Sequence, residues 1–116
     1  MKKITGLLLS ATLLLSGCGS VPVTGRKQML LVSDSEVIAS SLTQYSDYMK
    51  SATPSTNTKG KAMVTRVGKN IAAATEAYLK ANGLSNEIKN FNWEFNLVKD
   101  NQVNAFCMPG GKIVVY

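Results

Sequence analysis

The sequence predicts an α+β fold, in which two amphipathic helices are followed by a small antiparallel sheet with a hairpin. Apolar residues recur every three or four positions over two long stretches, which is the period of a helix. From Phe91 onward the period changes to two, as in a half-buried strand. At 116 residues the chain has room for one modest domain.

The first helix is predicted to begin at residues 33–36, because Ser-Asp-Ser-Glu has the spacing of a capping box. It is expected to end near Lys50, where a polar segment rich in helix breakers, residues 51–58, predicts a loop. Its apolar positions are Val37, Ile38, Leu42, Tyr45 and Met49. We expect this stripe to face the core.

The second helix is predicted from about Lys59 to Ala81, because Asn82 and Gly83 favour a left-handed stop at that point. Its stripe is expected to be core as well. The stripe consists of Met63, Val67, Ile71, Ala74 and Tyr78, widened by Val64, Ala72 and Leu79.

A strand over residues 91–98 and a turn over residues 99–102 are predicted next. Residues 103–106 and 112–116 then flank a turn that contains Pro109, Gly110 and Gly111, which predicts a hairpin. The last strand is apolar on both faces and needs cover on both sides. Because the sequence ends there, we expect an unprotected edge and face, and therefore a fragment or a chain that needs a partner.

The N-terminus has the pattern of a bacterial export signal. Lys2 and Lys3 precede an apolar run, residues 4–15, that is too short to span a bilayer unaided. Residues 15–18, Leu-Ser-Gly-Cys, match a lipobox, so we expect residues 1–17 to be removed and Cys18 to be acylated. An ordinary signal with an incidental Cys is the alternative. The predicted organisation is signal peptide 1–17, lipidated tether 18–32, and domain 33–116.

Charge and residue content exclude several function classes. The chain has no His, which excludes Ser-His triads and His-ligated zinc within it. Its formal net charge is +6, but the cations are scattered, so weak attraction to anionic lipid headgroups is favoured over nucleic-acid binding. With Cys18 acylated, Cys107 is the only remaining thiol, which excludes an intramolecular disulfide. Cys107 is interpreted as a buried packing thiol, with a redox-reactive thiol as the alternative.

Three stretches resemble the N-terminal portion of metallopeptidase family 48, the relatives of the CAAX prenyl protease. They are residues 22–28 (PVTGRKQ), 66–71 (RVGKNI) and 103–113 (VNAFCMPGGKI). The resemblance implies a zincin-like zinc endopeptidase, in which an H-E-x-x-H helix follows the last strand and binds the metal. That motif is absent from these 116 residues, so the chain alone is expected to bind no zinc and to be inactive.

The resemblance also implies a substrate-binding element. Asn104 and Ala105, with Phe106 following, match an edge strand on which such enzymes hold an extended peptide by main-chain hydrogen bonds. Alternatively, Asn104 satisfies a turn and Ala105 packs.

Two hypotheses about function remain. In the first, the chain is the N-terminal part of a lipid-anchored zinc endopeptidase that acts on misfolded or membrane-associated proteins of the cell envelope. In the second, it is a non-catalytic envelope lipoprotein that binds extended peptides or a partner protein. The lipid anchor would lie in the outer membrane or on the periplasmic side of the inner membrane.

Overall fold

The computed structural model describes residues 18–21 and 23–116, which divide into two compact units at Ser33. The expected signal peptide, residues 1–17, lies outside the described residues. The predicted α+β class is confirmed. No helix in the described part of the chain is both long and apolar enough to cross a membrane.

The first unit contains a short hairpin within the segment that the sequence predicts as a tether. Strand β1 (Cys18–Ser20) pairs antiparallel with β2 (Lys27–Met29), and Cys18 lies opposite Met29. Gly25 has a φ of 66° in the connection between them, a conformation that glycine adopts without strain.

The second unit begins with the two predicted helices, α1 (Asp34–Ser51) and α2 (Thr58–Ala81). Helix α2 starts where Oδ1 of Asn57 accepts a hydrogen bond from the Gly60 N–H at 2.9 Å, a side-chain cap. It ends before Gly83, whose φ of 72° stops the helix. A 3₁₀ helix (Ser85–Asn90) follows, which the sequence analysis did not predict.

The sheet is mixed rather than antiparallel, which corrects the prediction. Strands β3 (Glu94–Leu97), β4 (Ala105–Met108) and β5 (Lys112–Val115) lie in the order β3-β5-β4. Strand β5 forms the expected hairpin with β4, but it pairs in parallel with β3.

The expectation of an unprotected edge at the last strand is therefore wrong. Strand β5 is the central strand and is hydrogen-bonded on both sides. Its sequence is apolar on both faces, and the centre of the sheet is where such a strand finds neighbours in every direction. The edge strands are β3 and β4.

The two helices pack against opposite faces of the sheet. Successive strand residues point to opposite faces, and residues paired across strands share a face. Asn96 and Phe106 point toward α1, where Asn96 Nδ2 donates to Tyr45 Oη at 2.8 Å. Phe95 points toward α2, where its ring lies against Gly68. Val114, between Asn96 and Phe106 on the α1 side, is completely buried.

The stripe predicted as the core face of α2 is exposed, which corrects a second expectation. Met63, Val67, Ile71 and Tyr78 are 46–56% exposed. The buried residues of α2 are Gly68, which was not predicted, and Ala72 and Leu79, which were predicted at the margin of the stripe. Gly68 decides which side of α2 faces the sheet. Because it has no Cβ, the helix can approach the Phe95 ring closely on this side. On α1, Val37 and Leu42 of the predicted stripe are also exposed.

Candidate functional site

Strand β4 has one free edge, and the register of the β4–β5 pair shows which of its main-chain groups point toward that edge. In an antiparallel pair, hydrogen-bonded and non-hydrogen-bonded residue pairs alternate. The Tyr116 N–H donates to the Asn104 carbonyl at 2.9 Å, so the main-chain groups of Asn104 point toward β5. Those of Phe106 and Met108, two and four residues further on, point the same way. The N–H and C=O groups of Ala105 and Cys107 therefore point away from β5, toward the free edge.

The side chain of Asn104 is hydrogen-bonded to one of these outward-pointing groups. Its side-chain Oδ1 accepts a hydrogen bond from the Ala105 N–H at 2.8 Å. The C=O of Ala105 and both main-chain groups of Cys107 have no partner among the described residues. Asn104, Ala105 and Cys107 are all exposed, so these groups are open to an approaching chain.

Phe106 does not share this exposure. Its ring packs edge-on against Tyr48 at a centroid distance of 5.2 Å and against Tyr116 at 6.1 Å, and the residue is half-buried. The pKa of Tyr48 is raised to about 12. Burial is the largest cause, and the neighbouring Tyr116 phenol and the charge of Asp100 contribute less. The three residues matched by the resemblance thus divide: Asn104 and Ala105 lie at the free edge, while Phe106 attaches the strand to α1.

The turn between β4 and β5 is fixed by packing of Gly111 against Trp93. Pro109, Gly110 and Gly111 form it, and both glycines are buried with φ values of 91° and 83°. A Cβ on Gly111 would lie 2.9 Å from Cε3 of Trp93. Because of this close approach, the turn fixes the position of β4 relative to β3.

Cys107 is exposed, so the interpretation as a buried packing residue is wrong. Register explains the difference, since Cys107 points to the opposite face from Phe106, and its neighbour Ala105 on that face is exposed as well. Partial burial of the thiol nevertheless raises the pKa of Cys107, which lowers its thiolate fraction at neutral pH. The redox-reactive alternative gains no support from this environment.

A buried lysine was missed by the sequence analysis. Lys112 is only 2% exposed, and its Nζ donates to the Asn92 carbonyl at 2.5 Å and lies 3.6 Å from Oε2 of Glu94. The same Nζ lies 5.8 Å from the ring centroid of Tyr45, whose pKa is raised by burial and by Glu94. The only sign of this burial in the sequence is a single Lys at the start of an apolar strand. This cluster connects α1, β3 and β5.

The residues present do not fit the zinc ion that the resemblance implies. The sequence has no His, and among residues 18–21 and 23–116 no group of three or more Cys, Asp or Glu side chains converges to hold a metal. Searches of the chain against protein-family models, curated proteins and solved structures found no match.

Proposed function

We propose that the chain binds extended polypeptides by β-strand addition to the free edge of β4, as the peptide-binding part of a lipid-anchored zinc metalloendopeptidase of the cell envelope. The supporting observation is the row of outward main-chain groups at Ala105 and Cys107. An added strand gains affinity from main-chain hydrogen bonds and depends little on peptide sequence, which suits misfolded substrates.

Three groups are available to such a strand without rearrangement: the C=O of Ala105 and the N–H and C=O of Cys107. The fourth, the N–H of Ala105, is released only when the Asn104 side chain moves aside. Asn104 thus both protects the edge in the free protein and offers an amide that can donate and accept.

Zinc and the catalytic base belong to this proposal only through the resemblance, which assigns them to an H-E-x-x-H helix that is not among these 116 residues. The alternative, a lipoprotein that binds extended peptides without cleaving them, uses the same edge. The two differ in whether a bound peptide is hydrolysed by the natural full-length product.

Replacement of Cys107 by proline tests the edge directly. Proline removes the outward N–H and places its ring where the added strand would lie, without removing a hydrogen bond to β5. With a dye-labelled peptide of alternating Thr and Val as probe, we expect Cys107→Pro to weaken binding about tenfold or more. Cys107→Ser keeps the N–H and serves as the matched control, with unchanged binding.

A second variant makes the test independent of how well the proline variant folds. Asn104→Ala releases the Ala105 N–H, and one additional hydrogen bond should strengthen peptide binding by about threefold to tenfold. Bound peptide should also slow alkylation of Cys107. The proposal fails if Cys107→Pro keeps a native circular dichroism spectrum and binds the peptide as the wild type does, or if Asn104→Ala changes nothing.

A further inference from the structure

One side of the N-terminal half of α2 carries three cations. Lys61, Arg66 and Lys69 line an open groove on this side, together with Ala62, Thr65 and Asn70. Lys59 and Lys80 are further cations near the two ends of the helix. All five cations are exposed. We refer to the groove side formed by Lys61, Arg66 and Lys69 as the basic side of α2.

Among residues 18–21 and 23–116, no carboxylate forms an ion pair with the basic side. The ion pairs of Lys50 with Asp47 and of Lys112 with Glu94 include no cation of α2. The only acidic residue of the helix, Glu76, is half-buried and accepts a hydrogen bond from Nε1 of Trp93 at 3.0 Å. The basic side therefore carries a local excess of positive charge.

The basic side points away from the candidate peptide-binding edge. Lys61 and Thr65 line a small cavity together with Pro54 and Leu97. This cavity lies at the outer edge of β3, where the Ser55 N–H donates to the Leu97 carbonyl at 2.9 Å. Since the strand order is β3-β5-β4, the free edge of β4 is at the opposite border of the sheet.

We propose that the basic side of α2 binds the anionic phospholipid headgroups of the membrane to which Cys18 is expected to be anchored, and that β4 then faces away from the bilayer. Each Lys or Arg near an anionic surface contributes about 1 kcal/mol of attraction. An open row of cations fits the repeated charges of a lipid surface, and a lipid tether and a basic surface together hold a protein more stably than either alone. The inference does not depend on peptide binding.

Vesicle flotation tests the proposal without help from the acyl chains. The mature chain, residues 18–116 with Cys18→Ser, is mixed with phosphatidylcholine vesicles that contain or lack phosphatidylglycerol, at low and at high salt. We expect binding only to the anionic vesicles, and weaker binding as salt increases. The triple variant Lys61→Gln, Arg66→Gln, Lys69→Gln should bind at least about tenfold more weakly, because three such contributions are lost.

The matched control removes the same charge elsewhere. Lys50→Gln, Lys89→Gln and Lys99→Gln lie outside α2 at exposed positions, and this triple variant should bind within about twofold of the parent chain. Circular dichroism checks that both variants are folded. Equal losses of vesicle binding in the two variants would mean that binding depends only on net charge, which would overturn the proposal. The absence of binding to anionic vesicles would overturn it as well. Displacement by millimolar inorganic phosphate or by a short DNA duplex would assign the surface to those ligands instead.

Discussion

Gly68 of α2 lies directly against the ring of Phe95 in β3. A Cβ at position 68 would be 2.6 Å from Cε1 of that ring, closer than carbon atoms approach in proteins. This contact sets both the distance between the helix and the sheet and the side of the helix that is buried.

Gly68→Ala should therefore destabilise the protein, although alanine is the better helix former by about 1 kcal/mol. Overpacking costs about 1–3 kcal/mol, and because the Cβ would overlap several atoms of the Phe95 ring we expect the upper part of this range and a net loss of about 1–2 kcal/mol. Urea denaturation followed by circular dichroism measures it. Asn70→Ala, at an exposed position of the same helix, is the control and should be neutral or slightly stabilising. A Gly68→Ala variant as stable as the wild type would mean that α2 does not pack on β3 through this residue.

Lys112 should contribute to stability through its buried stem as well as its charge. Lys112→Ala removes both and should lower the free energy of unfolding by about 2–4 kcal/mol. Lys112→Met keeps the apolar stem and loses the hydrogen bond to the Asn92 carbonyl, so a loss of about 1 kcal/mol is expected. Urea midpoints of the two variants are compared. Equal losses would show that packing of the stem contributes nothing.

Stability should fall at alkaline pH because of Tyr48. Its pKa is raised to about 12 in the folded protein from the ordinary value of 10.0, so the folded state holds the proton more tightly than the unfolded state does. The resulting stabilisation is complete below pH 10 and is lost as the pH rises from 10 through 12. In urea melts across this range, Tyr48→Phe should reduce the pH dependence, and an unchanged pH dependence in that variant would contradict the prediction.

Cys18→Ala should abolish labelling by a radioactive fatty acid in the bacterial host and release the protein from the membrane fraction. We expect this because residues 15–18 match a lipobox, which would place the acyl chains on this thiol. Cys107→Ala is the matched control and should keep both the label and the membrane location. Membrane retention of the unlabelled Cys18→Ala protein would contradict the lipobox.

Local signals in the sequence were sufficient for the helices and the hairpin. The Asn82-Gly83 stop, the breaker-rich loop before α2 and the Pro-Gly-Gly turn act through the conformational preferences of a few neighbouring residues. The 3₁₀ helix at Ser85–Asn90 has no comparable signal, and it was missed. The edge location of Asn104 and Ala105 came from the family resemblance, not from periodicity.

Pairing and helix orientation were decided by contacts between residues far apart in the sequence. The apolar character of residues 113–115 required cover, but only the tertiary structure placed β5 between β3 and β4 and left β4 with the free edge. Periodicity indicated an apolar stripe on α2, but Gly68 against Phe95 turned a neighbouring side toward the sheet. Local preferences act within a few residues, whereas strand order and the choice of buried face depend on how well distant surfaces fit together.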